Sequence, residues 1–90
     1  MIVLVDVIKV QALDERRLWV RFSDGTEGEY DFSAVLDGGG PMVQPLKDPE
    51  MFKRAFVSMG VPTWPNGFDV DAIQLHREMA DQGRLRKSAA

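Results

Sequence analysis

The chain is predicted to adopt an α+β fold. A small antiparallel sheet, built from a three-stranded N-terminal meander plus short later strands, carries two to three short helices, one of them C-terminal. Three observations predict it. Leu18, Val20 and Phe22 alternate with Trp19 and Arg21, the period-two pattern of a strand with one buried face. Ser23-Asp24-Gly25-Thr26 follows directly, and Asp-Gly supplies the backbone freedom of a tight hairpin turn. Near the end, Trp64-Pro65-Asn66-Gly67-Phe68-Asp69 is a turn-forming run that precedes Asp71 and a helical stripe of Ala72, Leu75 and Met79.

The first strand is assigned to residues 2–11, where Ile2, Val3, Leu4, Val5, Val7, Ile8 and Val10 are apolar. Near-continuous apolarity means that both faces are partly covered or that one end lies against another element. Asp14-Glu15-Arg16-Arg17 is a polar turn into the second strand. The third strand, near residues 26–32, places Gly28, Tyr30 and Phe32 inward and Glu27, Glu29 and Asp31 toward water. Ser33 is placed to cap one helical turn reaching Leu36, which Asp37-Gly38-Gly39-Gly40-Pro41 stops. Asp48-Pro49-Glu50 opens a helix over about residues 48–55, with Asp48 as N-cap and Pro49 in the first turn. Residues 55–59 and 61–64 are two short extended pieces around Gly60. The last helix starts at the N-cap Asp71 and runs to about Gln82, ahead of Gly83.

Ninety residues make one domain, assigned here to residues 1–83, with a frayed basic tail over residues 84–90. A chain of this size buries roughly 60–65% of its unfolded surface, enough for one core layer. Cysteine is absent, which removes disulfides, thiolate metal sites and cysteine nucleophiles. The opening apolar run lacks a basic flank and a cleavage site, and no stretch approaches the roughly 20 apolar residues of a membrane helix. The expected location is the cytoplasm, with no membrane partner. Net charge is −3, and without Arg84, Arg86 and Lys87 eight basic residues face 14 acidic ones, leaving a body at −6. Such a body repels phosphate backbones and favours a basic partner.

Few residues stand out as chemistry. The Gly38-Gly39-Gly40 run is followed by Pro41-Met42-Val43 and lacks the Lys-Ser/Thr of a phosphate loop, so it is a flexible surface loop. His76 is the only histidine, flanked on its helix by Ala72, Ile73, Met79 and Ala80; it is a half-buried packing residue, since zinc needs several further ligands. Asp69 and Asp71 serve an Asx-type turn and a helix cap. No catalytic residue, metal or cofactor is expected. Trp19 and its face neighbour Arg21 form a candidate protein-contact patch opposite the apolar side of the second strand. Trp64 either buries its ring over the sheet or stands as a third contact, since aromatics dominate binding hot spots. Arg84, Arg86 and Lys87 are a weak nucleic-acid contact or a solvated, dipole-complementing tail.

Leu18-Trp19-Val20-Arg21-Phe22-Ser23-Asp24-Gly25, Tyr30-Asp31-Phe32, Leu46-Lys47-Asp48-Pro49-Glu50-Met51-Phe52 and Trp64-Pro65-Asn66-Gly67-Phe68-Asp69 together resemble the signatures of the bacterial family DUF2442. The resemblance covers roughly residues 3–77, and the Trp-Pro-Asn-Gly block is its most specific part. It implies a compact α+β fold with a final helix after that block, and no enzymatic activity. Some members of that family carry a helix-turn-helix after this module, while others stand alone beside small partner genes in toxin–antitoxin-like pairs. The chain has Leu75-His76 where the family commonly shows Leu-Tyr, and its end at Ala90 leaves no room for a helix-turn-helix, which weighs against direct DNA binding. The expected function is therefore a small non-enzymatic interaction or regulatory module, the antitoxin-like half of a two-gene pair. Its partner would be a small basic protein from the adjacent gene, and a homodimer could cover open sheet edges. The alternative is a nucleic-acid-associated transcriptional regulator acting as a dimer or with a partner.

Overall fold

Alternation in the second strand sets the architecture. In the computed structural model, which describes residues 4–88, β1 (Val7–Ala12), β2 (Arg17–Phe22) and β3 (Thr26–Asp31) form the antiparallel meander. Leu18, Val20 and Phe22 are fully buried on one face. Their cross-strand partners carry the same face outward on both sides: Ala12 and Val10 on β1, Tyr30 and Gly28 on β3. The Ser23-Asp24-Gly25 turn closes as expected, with Gly25 at φ 86° and the Asp24 carboxylate accepting from the Thr26 amide at 3.0 Å.

β1 is shorter than residues 2–11. Residues 1–3 lie outside the described residues, and β1 begins only at Val7, after Asp6 donates its amide to the Ser23 hydroxyl at 3.0 Å. A bulge between Val7 and Lys9 turns Ile8 outward. Of the apolar run, Val5 and Val7 are buried where its end lies against another element, while Leu4 and Ile8 are exposed. Val7 donates its amide to the Gly60 carbonyl at 2.8 Å, at the tip of a second, two-stranded sheet of β4 (Phe56–Ser58) and β5 (Val61–Thr63). That hairpin turns at Met59 and Gly60, both with positive φ, and Gly60 has no room for a Cβ beside the Asp6 side chain.

The helices close the buried face. α1 (Ser33–Gly38) is longer than one turn, and Ser33 does not cap it: the Ser33 amide is itself bound by the Asp31 carboxylate at 2.8 Å. A 3-10 turn (Gln44–Lys47) leads to α2 (Pro49–Phe52), which starts as expected with Asp48 accepting from the Glu50 amide at 3.1 Å. α2 ends earlier than residue 55. α3 (Ala72–Asp81) starts at Asp71, whose carboxylate accepts from the Gln74 amide at 2.9 Å, and it buries Ala72, Leu75 and Met79. Leu36, Leu46, Phe52, Leu75 and Met79 join Leu18, Val20 and Phe22 in one core.

The tail departs from expectation. Residues 86–87 are not frayed: Arg86–Lys87 form β6, which pairs antiparallel with β3 through Thr26↔Lys87 and Glu27↔Arg86. The cause is a helix C-cap. Gly83, at φ 68°, donates to the Ala80 carbonyl at 3.0 Å while Arg84 donates to the Met79 carbonyl at 2.8 Å, the paired bonds of a Schellman turn. This turn lays the chain across β3, where Leu85 packs on the core and Ser88 donates its amide to the Gly25 carbonyl at 2.7 Å. The crossing requires Gly28, since a Cβ there would collide with the Arg84 carbonyl and press on the Met79 methyl.

Gly28→Ala is therefore expected to cost about 1–3 kcal/mol in urea unfolding, the range for overpacking a filled site. Gly38→Ala, which meets open space, should stay within about 0.5 kcal/mol of the parent.

Candidate functional site

The face of the sheet opposite the core carries Lys9 and Gln11 from β1, Arg17, Trp19 and Arg21 from β2, Glu27, Glu29 and Asp31 from β3 and Arg86 from β6. Arg17 bonds both Asp14 and Glu29, at 2.8 and 3.1 Å. The centre of this face is organised by Glu27. Sequence alternation sends Glu27 to water, but the structure leaves it only 9% exposed. One carboxylate oxygen accepts from the Trp19 indole Nε1–H at 3.2 Å and from Arg86 Nη2 at 3.4 Å, and the other accepts from Arg21 Nη2 at 3.2 Å. The Arg21 guanidinium lies 5.3 Å from the centre of the Trp19 ring, within cation–π range. Burial alone would raise the Glu27 pKa; hydrogen bonds from Ser88, Trp19 and Arg21 outweigh it and hold the carboxyl below its ordinary value. Trp19 is thus half-buried and fixed in orientation rather than freely exposed. Arg21 Nε is buried and has no hydrogen-bond partner among the described residues.

Only part of this cluster was readable beforehand. Trp19 and Arg21 share a face because of strand periodicity. The cross-strand pairing Arg21↔Glu27 is the signal that could have found Glu27, once the hairpin register is counted from the Asp-Gly turn. Arg86 could not be found that way, because it arrives through the helix cap. The three tail residues separate: Arg86 reaches Glu27, Lys87 lies opposite Thr26 on the sheet edge, and Arg84 crosses over Gly28 with its side chain exposed.

Trp64 is not a surface contact. It is fully buried, with its ring within 5.7–5.8 Å of Phe32, Phe52 and Phe68 and its Nε1–H donating to the Phe52 carbonyl at 2.9 Å. The Pro65-Asn66 turn behind it, closed by the Gly67 amide on the Trp64 carbonyl at 2.9 Å, folds the chain back so that Trp64 points inward. Asn66, and not Asp69, makes the Asx contact: its side chain accepts from the Phe68 amide at 3.3 Å and donates to the Met42 carbonyl at 2.8 Å. After the glycine run, the Val43 and Gln44 amides are taken by the Gly40 carbonyl.

Two further polar pairs tie α3 to the meander. His76 is half-buried edge-on to Phe22, at 4.9 Å between centroids, and its Nε2 lies 2.9 Å from an Asp24 carboxylate oxygen. Burial opposes Asp24 ionisation, but hydrogen bonds from Thr26 and His76 prevail and lower its pKa. The Tyr30 hydroxyl donates to Glu78 at 2.6 Å. Burial first, then the hydrogen bond to Glu78 and the charges of Glu78 and Asp31, push the phenol up to about 12. Among the described residues no group of three His, Cys, Asp or Glu side chains could hold a metal ion, and no helix is long and apolar enough to cross a membrane.

Tyr30 is the only tyrosine, so its titration can be followed by phenolate absorbance. The expected midpoint is near 12 in the native protein and near 10 in urea. The sign follows: with the folded value raised, the stability this group contributes is fully present below pH 10 and is lost as pH rises through about 12. Glu78→Gln should bring the native midpoint down toward 10.

No curated protein and no solved structure matches the chain. The family model described as protein of unknown function (DUF2442) matches residues 7–79, from the start of β1 to the last turn of α3, and so includes the Trp19–Glu27 cluster and the Trp64 turn. The chain belongs to the DUF2442 family.

Proposed function

We propose that this chain is a non-enzymatic interaction module that docks a protein partner on the open face of its sheet, with Trp19 at the centre. The observation that carries the reading is the Trp19–Glu27–Arg21 arrangement: an aromatic ring held in place by two hydrogen-bonded neighbours on a face that the helices do not cover. Trp and Arg are the residue types that dominate binding hot spots, and a ring already immobilised loses little entropy on association. In this role the chain is the antitoxin-like or regulatory half of a two-gene pair, and its partner is a small protein.

A second reading has one observation behind it. Lys9, Arg17, Arg21 and Arg86 exceed Glu27, Glu29 and Asp31 on that face by one charge, although the chain as a whole is at −3, so a nucleic-acid backbone is the alternative ligand. It requires affinity for duplex DNA that falls linearly with the logarithm of salt concentration, with a slope that drops in Arg86→Ala.

The test is native mass spectrometry of the chain co-expressed with the product of its neighbouring gene. A stoichiometric complex is expected, and Trp19→Ala should weaken it by about tenfold or more while leaving the fold intact, the behaviour of a hot spot. Recovery of the free chain alone, or a complex indifferent to Trp19→Ala, would reject the reading.

A further inference from the structure

On the other side of the sheet from Trp19, β3, the segment at residues 68–70 and α3 enclose a concavity of about 220 Å³. Its lining includes the aromatic residues Tyr30, Phe32 and Phe68, the apolar Leu75 and the acidic Asp69 and Glu78. Glu78 binds the Tyr30 hydroxyl through Oε2, and neither Glu78 nor Asp69 takes part in an ion pair among the described residues. Arg77 lines the adjoining concavity on α3 instead, where it is outnumbered by Asp71, Glu78 and Asp81.

The chemistry of the lining selects its occupant. The Tyr30 hydroxyl already donates its hydrogen to Glu78, so toward an occupant it can only accept. The charged groups of the lining are both carboxylates, which repel an anion, while the aromatic walls disfavour a strongly hydrated small ion. A flat cation with apolar faces and several in-plane donors satisfies both parts at once. A guanidinium has that character: it stacks on aromatic rings, is weakly hydrated and forks onto carboxylates. The ammonium of lysine is a compact, strongly hydrated charge without a stacking face.

We propose that this groove receives the arginine side chain of a basic partner segment. The proposal rests on the reading of the chain as an interaction module but uses a different face from the Trp19 patch, so the two can fail separately. It places two of the chain's carboxylates, on Asp69 and Glu78, at a groove between β3 and α3.

The test is a two-dimensional amide NMR titration of the full chain with N-acetyl-arginine amide, its uncharged isostere N-acetyl-citrulline amide, and N-acetyl-lysine amide. The arginine probe should give saturable shifts at Phe68, Val70 and Gln74 with an affinity in the millimolar range. Citrulline should give none, and lysine should bind more weakly. Asp69→Asn and Glu78→Gln should each weaken arginine binding, and the double variant by about tenfold or more, equivalent to roughly 1.4 kcal/mol. Asp69→Asn leaves the Tyr30–Glu78 bond in place, so its effect reads the groove without disturbing that contact. Trp19→Ala should leave arginine binding unchanged, whereas it should break the partner complex. Equal binding of citrulline or lysine, shifts that do not saturate or lie elsewhere, or a double variant that binds like the parent would overturn the proposal.

Discussion

Burial of Trp64 is the constraint on which the rest of the structure depends. Its ring is in contact with three phenylalanines that come from the end of β3, from α2 and from its own turn. Its indole hydrogen is donated at 2.9 Å to the Phe52 carbonyl at the last residue of α2, a buried acceptor whose other bond, from the Ala55 amide, is long at 3.4 Å. A four-residue helix such as α2 cannot hold itself together in water, so its position is set by what packs against it. The turn after Trp64 reverses the chain so that the Val70 amide meets the Pro62 carbonyl at 3.1 Å and Asp71 arrives where α3 can begin. One aromatic residue therefore couples the small second sheet, α2, and the entry to α3.

The same arrangement determines which surfaces remain open. With α3 anchored behind Trp64 and packed over β3, its Schellman cap sends the chain across Gly28 and into β6. β6 then supplies Arg86, and with Ser88 it completes the shell of hydrogen bonds that keeps Glu27 ionised. Glu27 in turn fixes Trp19 and Arg21 on the uncovered face. On the helix side, the aromatic groove lined by Asp69 and Glu78 gathers negative charge. A small chain with one core layer has little interior to spare, so its distinctive features lie on two faces.

How much of this could be read from the residues depends on the range of the interactions. The meander, the Asp-Gly hairpin and the caps at Asp48 and Asp71 were legible because each is set by residues within a few positions of one another. Ser33 departs from the expected cap because the helix begins one residue earlier: Ser33 is already its first residue, and its amide is held by the Asp31 carboxylate. Glu27 misled because alternation states which face a residue takes and says nothing of what later covers that face. The tail was misjudged for a related reason: Gly83 was recognised as a helix stop, but where a Schellman turn sends the chain depends on Gly28, more than 50 positions earlier. Of the candidate site, Trp19 and Arg21 are legible from period alone, whereas Arg86, one of three cations in the basic tail, acquires its role through tertiary structure.

The measurement that tests this account most directly is acrylamide quenching of the fluorescence of Trp19→Phe, in which Trp64 is the sole tryptophan. A buried indole bonded to a carbonyl predicts emission near the blue end of the tryptophan range, nearly insensitive to acrylamide in the folded protein. Quenching should appear only as the chain unfolds cooperatively in urea. Red-shifted, readily quenched emission from Trp64 in the folded protein would contradict the account, because it would place at the surface the residue around which the core is built.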